Sequence, residues 1–227
     1  IGSIMPWNFP YWQALRFAAP CLMAGNVIVM KPSRVTMQSG IEIEKAFMES
    51  GMPDGIFQTV VGSVDSANHL IDSDVNAVTF TGSTNAGAKV GERAARHLKK
   101  CVLELGGSDP FIVLDDAIID KAAEGAVKGR FINCGQSCVA SKRFFVGKNI
   151  AKDFIELFIK KASQLKIGDP MNMETDLGPI SSKDGFETIS GIVEDAKEKG
   201  AEILLGGSKI EGKGFFYDPT ILTNVKP

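Results

Sequence analysis

The 227-residue chain is 44% hydrophobic and carries 25 Lys and Arg against 27 Asp and Glu, for a net charge of −2 and a pI near 5.8. That length and apolar content allow a sizeable core and more than one domain, while the near-neutral balance offers no basic patch for nucleic acid or an anionic membrane. No apolar run is long enough to cross a bilayer, and four cysteines are too few for a disulfide scaffold, so a reducing, cytoplasmic setting is expected.

Near the start, "PWNFPYW" (6–12) sets Asn8 between two prolines, each holding its own φ near −65° and pushing the preceding residue toward an extended form. Asn8 is read either as a turn residue or as an amide fixed to donate to a reacting oxygen. A helix is expected over 11–24. Short apolar runs then recur as strands: "NVIVM" (26–30), "FQTVVG" (57–62), "AVTFTG" (77–82), "CVLELGG" (101–107) and "PFIVLDD" (110–116). Their unbroken apolar character is that of strands buried on both faces. Between them, in "STNAGAKVGERAARHLKK", Val90, Ala94 and Leu98 recur every four residues, the stripe of an amphipathic helix. Strand–helix alternation implies a mostly parallel sheet with helices on both faces, an α/β fold.

A second unit follows the turn-rich "GGSDP" (106–110). It is expected to contain a helix over 117–132 capped by Asp115–Asp116, a strand at "RFFVG", an amphipathic helix over 150–165 and a further helix ending at Gly200.

Four places could carry chemistry. "FTGSTNAG" ends a strand and opens a helix, where backbone N–H groups can receive a phosphate, although its glycine spacing departs from G-x-G-x-x-G and a plain tight turn would explain it. Cys138 in "NCGQSC" lies on a loop and is either a nucleophile or a structural thiol; Cys134 is four residues away, but no second Cys pair or nearby His completes a zinc site, and no metal is expected. Glu104 in "LELGG" is a carboxylate within an apolar strand, where burial would raise its pKa toward that of a general base, unless it points outward. Lys31 ends its strand ahead of Pro32, as a solvated terminus or a ligand cation. An amide donor, a thiol, a carboxylate and a phosphate-type turn are together the parts needed to oxidise a carbonyl covalently with a nicotinamide cofactor.

In "PWNFP", "GNVIVMKPS", "FTGSTNAG", "LELGG", "GQSC", "GDP…LGP" and "GFFYDPTIL" the chain resembles the NAD(P)-dependent aldehyde dehydrogenase superfamily from end to end. The intervals from Asn8 to Lys31 and from Glu104 to Cys138 are those of the family. The resemblance implies a Rossmann-like parallel-sheet cofactor domain over 1–106 and part of an α/β catalytic domain over 107–227. It implies Cys138 as nucleophile, Asn8 and the backbone N–H of Cys138 as oxyanion donors, and Glu104 as the base that activates hydrolytic water. For the cofactor it implies Ile4 and Trp7 lining the site, Lys31 on the adenosine ribose with Ser33 and Arg34 beside it, Gly82 and Ser83 at the pyrophosphate, and Leu105 beside the nicotinamide.

Two departures carry expectations. Arg34 stands where many NAD-using members have a glutamate, and a cation pairs with a 2′-phosphate, so NADP is expected to be preferred over NAD. The family's "E-x-F-G-P" segment is expected beyond Pro227, and the chain opens at Ile1 on what reads as mid-strand, so it reads as the central piece of a longer enzyme that is expected to be a homo-oligomer. The closest likeness is to prokaryotic succinate-semialdehyde dehydrogenases. Arg16 matches an arginine that in some of them pairs with the substrate carboxylate, whereas Ile132 occupies the position of a second such arginine and Arg130 is expected to face elsewhere. Other small aldehydes, a CoA-acylating reaction and a non-catalytic fragment are the alternatives. Glu104 argues against acylation, since members of that branch commonly lack it.

Overall fold

A computed structural model describes residues 1–226, which fall into two units, Ile1–Gly106 and the residues from Gly107 onward. In unit 1 strands and helices alternate: β1 (Gly2–Ile4), α1 (Pro10–Met23), β2 (Ile28–Lys31), α2 (Met37–Glu49), β3 (Phe57–Thr59), α3 (Val64–Asp72), β4 (Ala77–Thr81), α4 (Thr84–Arg96) and β5 (Lys100–Glu104). The strands form one parallel sheet in the order β3-β2-β1-β4-β5. Because successive strand residues point to opposite faces, the sheet needs cover on both. Ile28, Met30 and Phe57 pack with Ala14 and Ala18 of α1 and Ile43 of α2. Ile4, Val78 and Phe80 pack on the other face with Leu70 and Ile71 of α3 and Val90 and Ala94 of α4.

Two expectations need correction here. Leu98, expected on the buried stripe with Val90 and Ala94, is 94% exposed because α4 stops at Arg96 and Leu98 takes a φ of +55° beyond its end. The run 101–107 was expected to be buried on both faces, yet β5 is the edge strand and is mostly exposed, with Val102 and Leu103 open.

An ion pair ties α3 to α4. The Arg93 guanidinium grips Asp72 through Nε (2.7 Å) and Nη2 (2.5 Å), and His97 Nε2 lies 3.0 Å from Asp72 Oδ1. Hydrogen bonding from Arg93, with its charge and His97 assisting, lowers the Asp72 carboxyl to about 2. A folded value below the unfolded one means stability present above the unfolded value and lost as the pH falls from about 4 toward 2. Arg93→Gln is therefore expected to lower the urea midpoint at pH 7, and the gap from the parent protein should close as the pH is lowered through that window. A gap independent of pH would show that Asp72 does not carry the effect.

Unit 2 places β6 (Asp109–Val113) parallel to β7 (Ser141–Val146) and packs α5 (Ile119–Phe131) and α6 (Ala151–Ala162) on them through Val113, Ala123, Ala126, Phe154 and Phe158. It continues through α7 (Lys183–Glu198), whose first turn is capped by the Ser182 hydroxyl accepting from Gly185 N–H at 3.1 Å. Two short antiparallel pairs complete it, β8 (Glu202–Leu205) with β11 (Ile221–Thr223) and β9 (Lys209–Ile210) with β10 (Phe216–Tyr217). The expected Asp115–Asp116 cap is not formed: α5 begins at Ile119 without a side-chain cap, and Asp115 instead accepts from the backbone N–H (3.3 Å) and amide (3.0 Å) of Asn149. Like β5, β6 has exposed apolar residues, among them Ile112. Among the described residues no helix is long and apolar enough to cross a membrane.

Candidate active site

In an open parallel sheet, ligands sit outside the carboxyl ends of the strands, at the point where the strand order reverses. In unit 1 that point lies between β1 and β4. Ile4, at the carboxyl end of β1, is in register with Lys31 at the end of β2 and with Phe80 near the end of β4. Thr81, the last residue of β4, pairs with Glu104, the last of β5, and Gly82 N–H donates to Glu104 O at 3.0 Å. Topology thus gathers Ile4, Lys31, Gly82, Ser83 and Glu104 on one edge of one sheet, with Ser33, Arg34 and Leu105 in the segments that leave it.

Lys31 is the most telling of these. It is only 6% exposed, so the solvated-terminus alternative fails. Burial, and secondarily the charge of Arg34, pushes its amine down from the usual lysine value. No hydrogen bond or ion pair reaches that amine among the described residues. A sheltered cation beside a second cation is costly by itself, and an anion or an array of hydroxyl acceptors would relieve it. Arg34 opens a 3-10 turn, Arg34–Thr36, directly after Ser33, and its side chain is exposed.

At the end of β4, Gly82 leads into Ser83, which caps α4 by accepting from Ala86 N–H at 3.3 Å. The 13-residue helix directs its N-terminal N–H groups and the positive end of its dipole to the same sheet edge. Gly87, whose spacing departs from the dinucleotide fingerprint, answers a packing demand: a Cβ there would stand 2.4 Å from Leu105 Cδ2. The missing side chain lets Leu105 close over α4.

The loop after β1 is anchored by Met5 N–H donating to Lys31 O at 3.1 Å. Asn8 Oδ1 accepts from Phe9 N–H at 3.1 Å, which anchors the amide oxygen to the start of α1. Pro10 does not belong to the loop; it is the first residue of α1, where its missing N–H costs nothing. Trp7 is half-buried. Two turns into α1, Arg16 is exposed and donates from Nη2 to Oε1 of the buried Gln13 at 3.3 Å. Gln13, a buried polar side chain on the apolar stripe of α1, thus holds Arg16 in place. Glu104, expected to be enclosed in an apolar strand, is exposed at the end of the edge strand, so that enclosure is absent from this unit.

Cys138 belongs to unit 2. It lies on the turn between Ser137 and Ala140 and is partly exposed. Burial pushes the thiols of Cys21, Cys101 and Cys134 up, which disfavours their thiolates. Cys134 also donates to Gly178 O at 3.4 Å. Arg130, at the end of α5, turns inward to the loop rather than away from it, with Nη2 donating to Gly135 O at 2.9 Å.

Residues 1–227 match the aldehyde dehydrogenase family over their whole length. The chain belongs to that family. It is 45% identical over 226 residues to a succinate-semialdehyde dehydrogenase [NADP(+)] of Mycobacterium tuberculosis (strain H37Rv), covering 99% of this chain and 50% of the relative. It is 46% identical over 228 aligned positions to the succinate semialdehyde dehydrogenase [NAD(P)+] Sad of Escherichia coli K12, covering 100% of this chain and 49% of the relative. Among solved structures, the succinate-semialdehyde dehydrogenase of Burkholderia pseudomallei superposes with a TM-score of 0.92 at 37% identity, over 100% of this chain and 47% of the other. An NAD-dependent aldehyde dehydrogenase of Sinorhizobium meliloti superposes with a TM-score of 0.95 at 38% identity, over 100% and 45%. This aldehyde dehydrogenase chain thus spans about half the length of the curated relatives it matches, and its five-stranded parallel sheet is the family's fold.

Proposed function

We propose that this chain supplies the cofactor-binding and nucleophile-bearing parts of an NAD(P)+-dependent dehydrogenase that oxidises a small aldehyde, succinate semialdehyde foremost, to its carboxylic acid. Residues 1–106 serve as the cofactor domain and 107–227 as part of the catalytic domain of a homo-oligomeric, cytoplasmic enzyme. The observation that carries this reading is the sheltered Lys31 amine beside Arg34, unpartnered among the described residues, on the same carboxyl edge of the sheet as the Gly82–Ser83 opening of α4. Those groups fit a dinucleotide: Lys31 and Ser33 meet ribose hydroxyls, Arg34 a 2′-phosphate, and the start of α4 the pyrophosphate, with Ile4, Trp7 and Leu105 lining the rest. When bound, the nicotinamide ring supplies the hydride acceptor.

The chain's own residues do the remaining work. The Cys138 thiolate adds to the aldehyde carbon, forming a C–S bond and placing the carbonyl electron pair on oxygen. The Asn8 amide and the Cys138 backbone N–H donate to that oxyanion. Collapse with loss of hydride leaves a thioester on Cys138. Glu104 then takes a proton from water, which attacks the thioester carbon; the C–S bond breaks, the thiolate returns and the acid leaves. Arg16, steadied by Gln13, is assigned to the substrate's distal carboxylate, for which a bidentate guanidinium is suited. The names of the two curated relatives support succinate semialdehyde and tolerance of both cofactors.

Full-length protein supplied with succinate semialdehyde and either NADP+ or NAD+ should generate absorbance at the reduced-nicotinamide band, faster with NADP+. Silence with every small aldehyde tried would refute the reading. Arg34→Glu should reverse the cofactor preference, lowering kcat/KM for NADP+ by about tenfold to a hundredfold, the scale of one to two charge-assisted bonds. An unchanged ratio would remove Arg34 from the phosphate site.

A further inference from the structure

The segment joining α5 to β7 is held under conformational strain. Asn133, Cys134 and Gly135 take successive φ values of +50°, +56° and +73°, a left-handed run that non-glycine residues adopt only when their surroundings impose it. Two cations do so. Arg130 donates from Nη2 to Gly135 O (2.9 Å) and from Nη1 to Ser141 O (3.3 Å). Its guanidinium occupies the space a Cβ at Gly135 would need, passing 2.2 Å from where that atom would be. Lys142, in β7, donates from Nζ to Ala140 O (3.0 Å), Cys138 O (3.1 Å) and Ser137 O (3.4 Å).

Neither cation makes an ion pair with a carboxylate among the described residues. Both are instead spent on main-chain carbonyls, and burial lowers the pKa of each. For Lys142 the charge of Arg130 lowers it further, while Asp109 and Cys138 act the other way. A turn that needed only holding together could be held by neutral donors, without partly desolvating a charge.

One of the three Lys142 bonds has a specific consequence. Ser137 C=O and Cys138 N–H belong to a single planar peptide group and point in opposite directions. Ser137 O is fixed from two sides, by Ala140 N–H at 3.2 Å and by the Lys142 ammonium. Holding that oxygen aims the Cys138 N–H, and a cation on the carbonyl end polarises the peptide and strengthens its N–H as a donor. We propose that Lys142 is a positioning residue for the oxyanion site, acting through the Ser137–Cys138 peptide, with Arg130 clamping the far side of the same turn. This rests on the reading of Cys138 as nucleophile and of its N–H as an oxyanion donor.

The test uses full-length Lys142→Met and Lys142→Arg. In Lys142→Met, kcat and kcat/KM for the aldehyde should fall together by roughly tenfold, less than the loss expected when an oxyanion donor is removed outright. The cofactor KM and Tm should hold, and Lys142→Arg, which keeps a cationic donor, should recover most of the rate. Alkylation of Cys138 by iodoacetamide, followed by peptide mapping with Cys21, Cys101 and Cys134 as internal controls, builds no oxyanion and should fall less than turnover does. If Lys142→Met does not fold, Lys142→Gln replaces it, with a loss between those of the other two variants. Unchanged turnover in the neutral variant, no recovery with arginine, or a loss of turnover matched by an equal loss of alkylation or of Tm would each overturn the proposal. Turnover by Cys138→Ser would instead overturn the nucleophile reading beneath it, so the two failures are distinguishable.

Discussion

Cys138→Ser should reduce aldehyde oxidation by ~10⁴-fold or more while leaving the full-length protein folded and able to bind NADPH. The reason lies in the attacking atom. An ordinary thiol has a few per cent of its population as thiolate at neutral pH and is intrinsically nucleophilic, whereas a serine hydroxyl has essentially no alkoxide there. The substitution removes one polarisable sulfur and keeps the side-chain shape, so the turn between Ser137 and Ala140, held by Ala140 N–H and Lys142, should persist. Steady-state turnover, with NADPH fluorescence enhancement as the binding control, separates the two properties. A serine variant within tenfold of the parent enzyme would refute Cys138 as nucleophile. The corresponding substitutions of Cys21, Cys101 and Cys134, whose thiols burial pushes up, should leave turnover within a few fold.

What could be read from the sequence follows the reach of each signal. Alternation of apolar runs with a helical stripe located the parallel sheet, because burial on both faces of β1, β2 and β4 imposes a composition that any reader can see. The same signal misled at β5. Val102 and Leu103 are apolar yet exposed, and one-dimensional patterning cannot tell a central strand from an edge strand. Leu98 failed for a related reason: periodicity says which residues share a stripe while the helix lasts, but the backbone leaves the helix at His97 and turns left-handed at Leu98. Asp115 failed because a carboxylate ahead of a helix has more than one donor to choose from, and Asn149 offers two from 34 residues away.

At the candidate site, Gly82, Ser83 and Lys31 were legible because strand ends and helix starts are local events. The shelter of Lys31 was not, since a strand-terminal lysine reads as solvated until the tertiary fold covers it. Arg130 and Lys142 were missed for the same kind of reason. Their partners are backbone carbonyls, which carry no sequence signature, and the left-handed run at 133–135 that ends at the Gly135 carbonyl bound by Arg130 includes two non-glycine residues.

Asn8→Ala should lower kcat by about 10²–10³-fold, the loss seen when one preorganised oxyanion donor is removed, with little change in the cofactor KM. Alanine also deletes the acceptor for Phe9 N–H, so part of any effect could come from a loosened loop. Asn8→Asp separates the two contributions. A carboxylate keeps an oxygen for Phe9 N–H and preserves the anchoring at the start of α1, but it donates nothing and sets a negative charge where the oxyanion would form. If the loop alone mattered, aspartate would be the milder substitution. If the amide donates to developing charge, aspartate must be at least as damaging as alanine while its Tm stays nearer that of the parent protein. Opposite orders of activity and stability in the two variants are therefore the expected signature of Asn8, and parallel orders would return the "PWNFP" asparagine to the role of a turn residue.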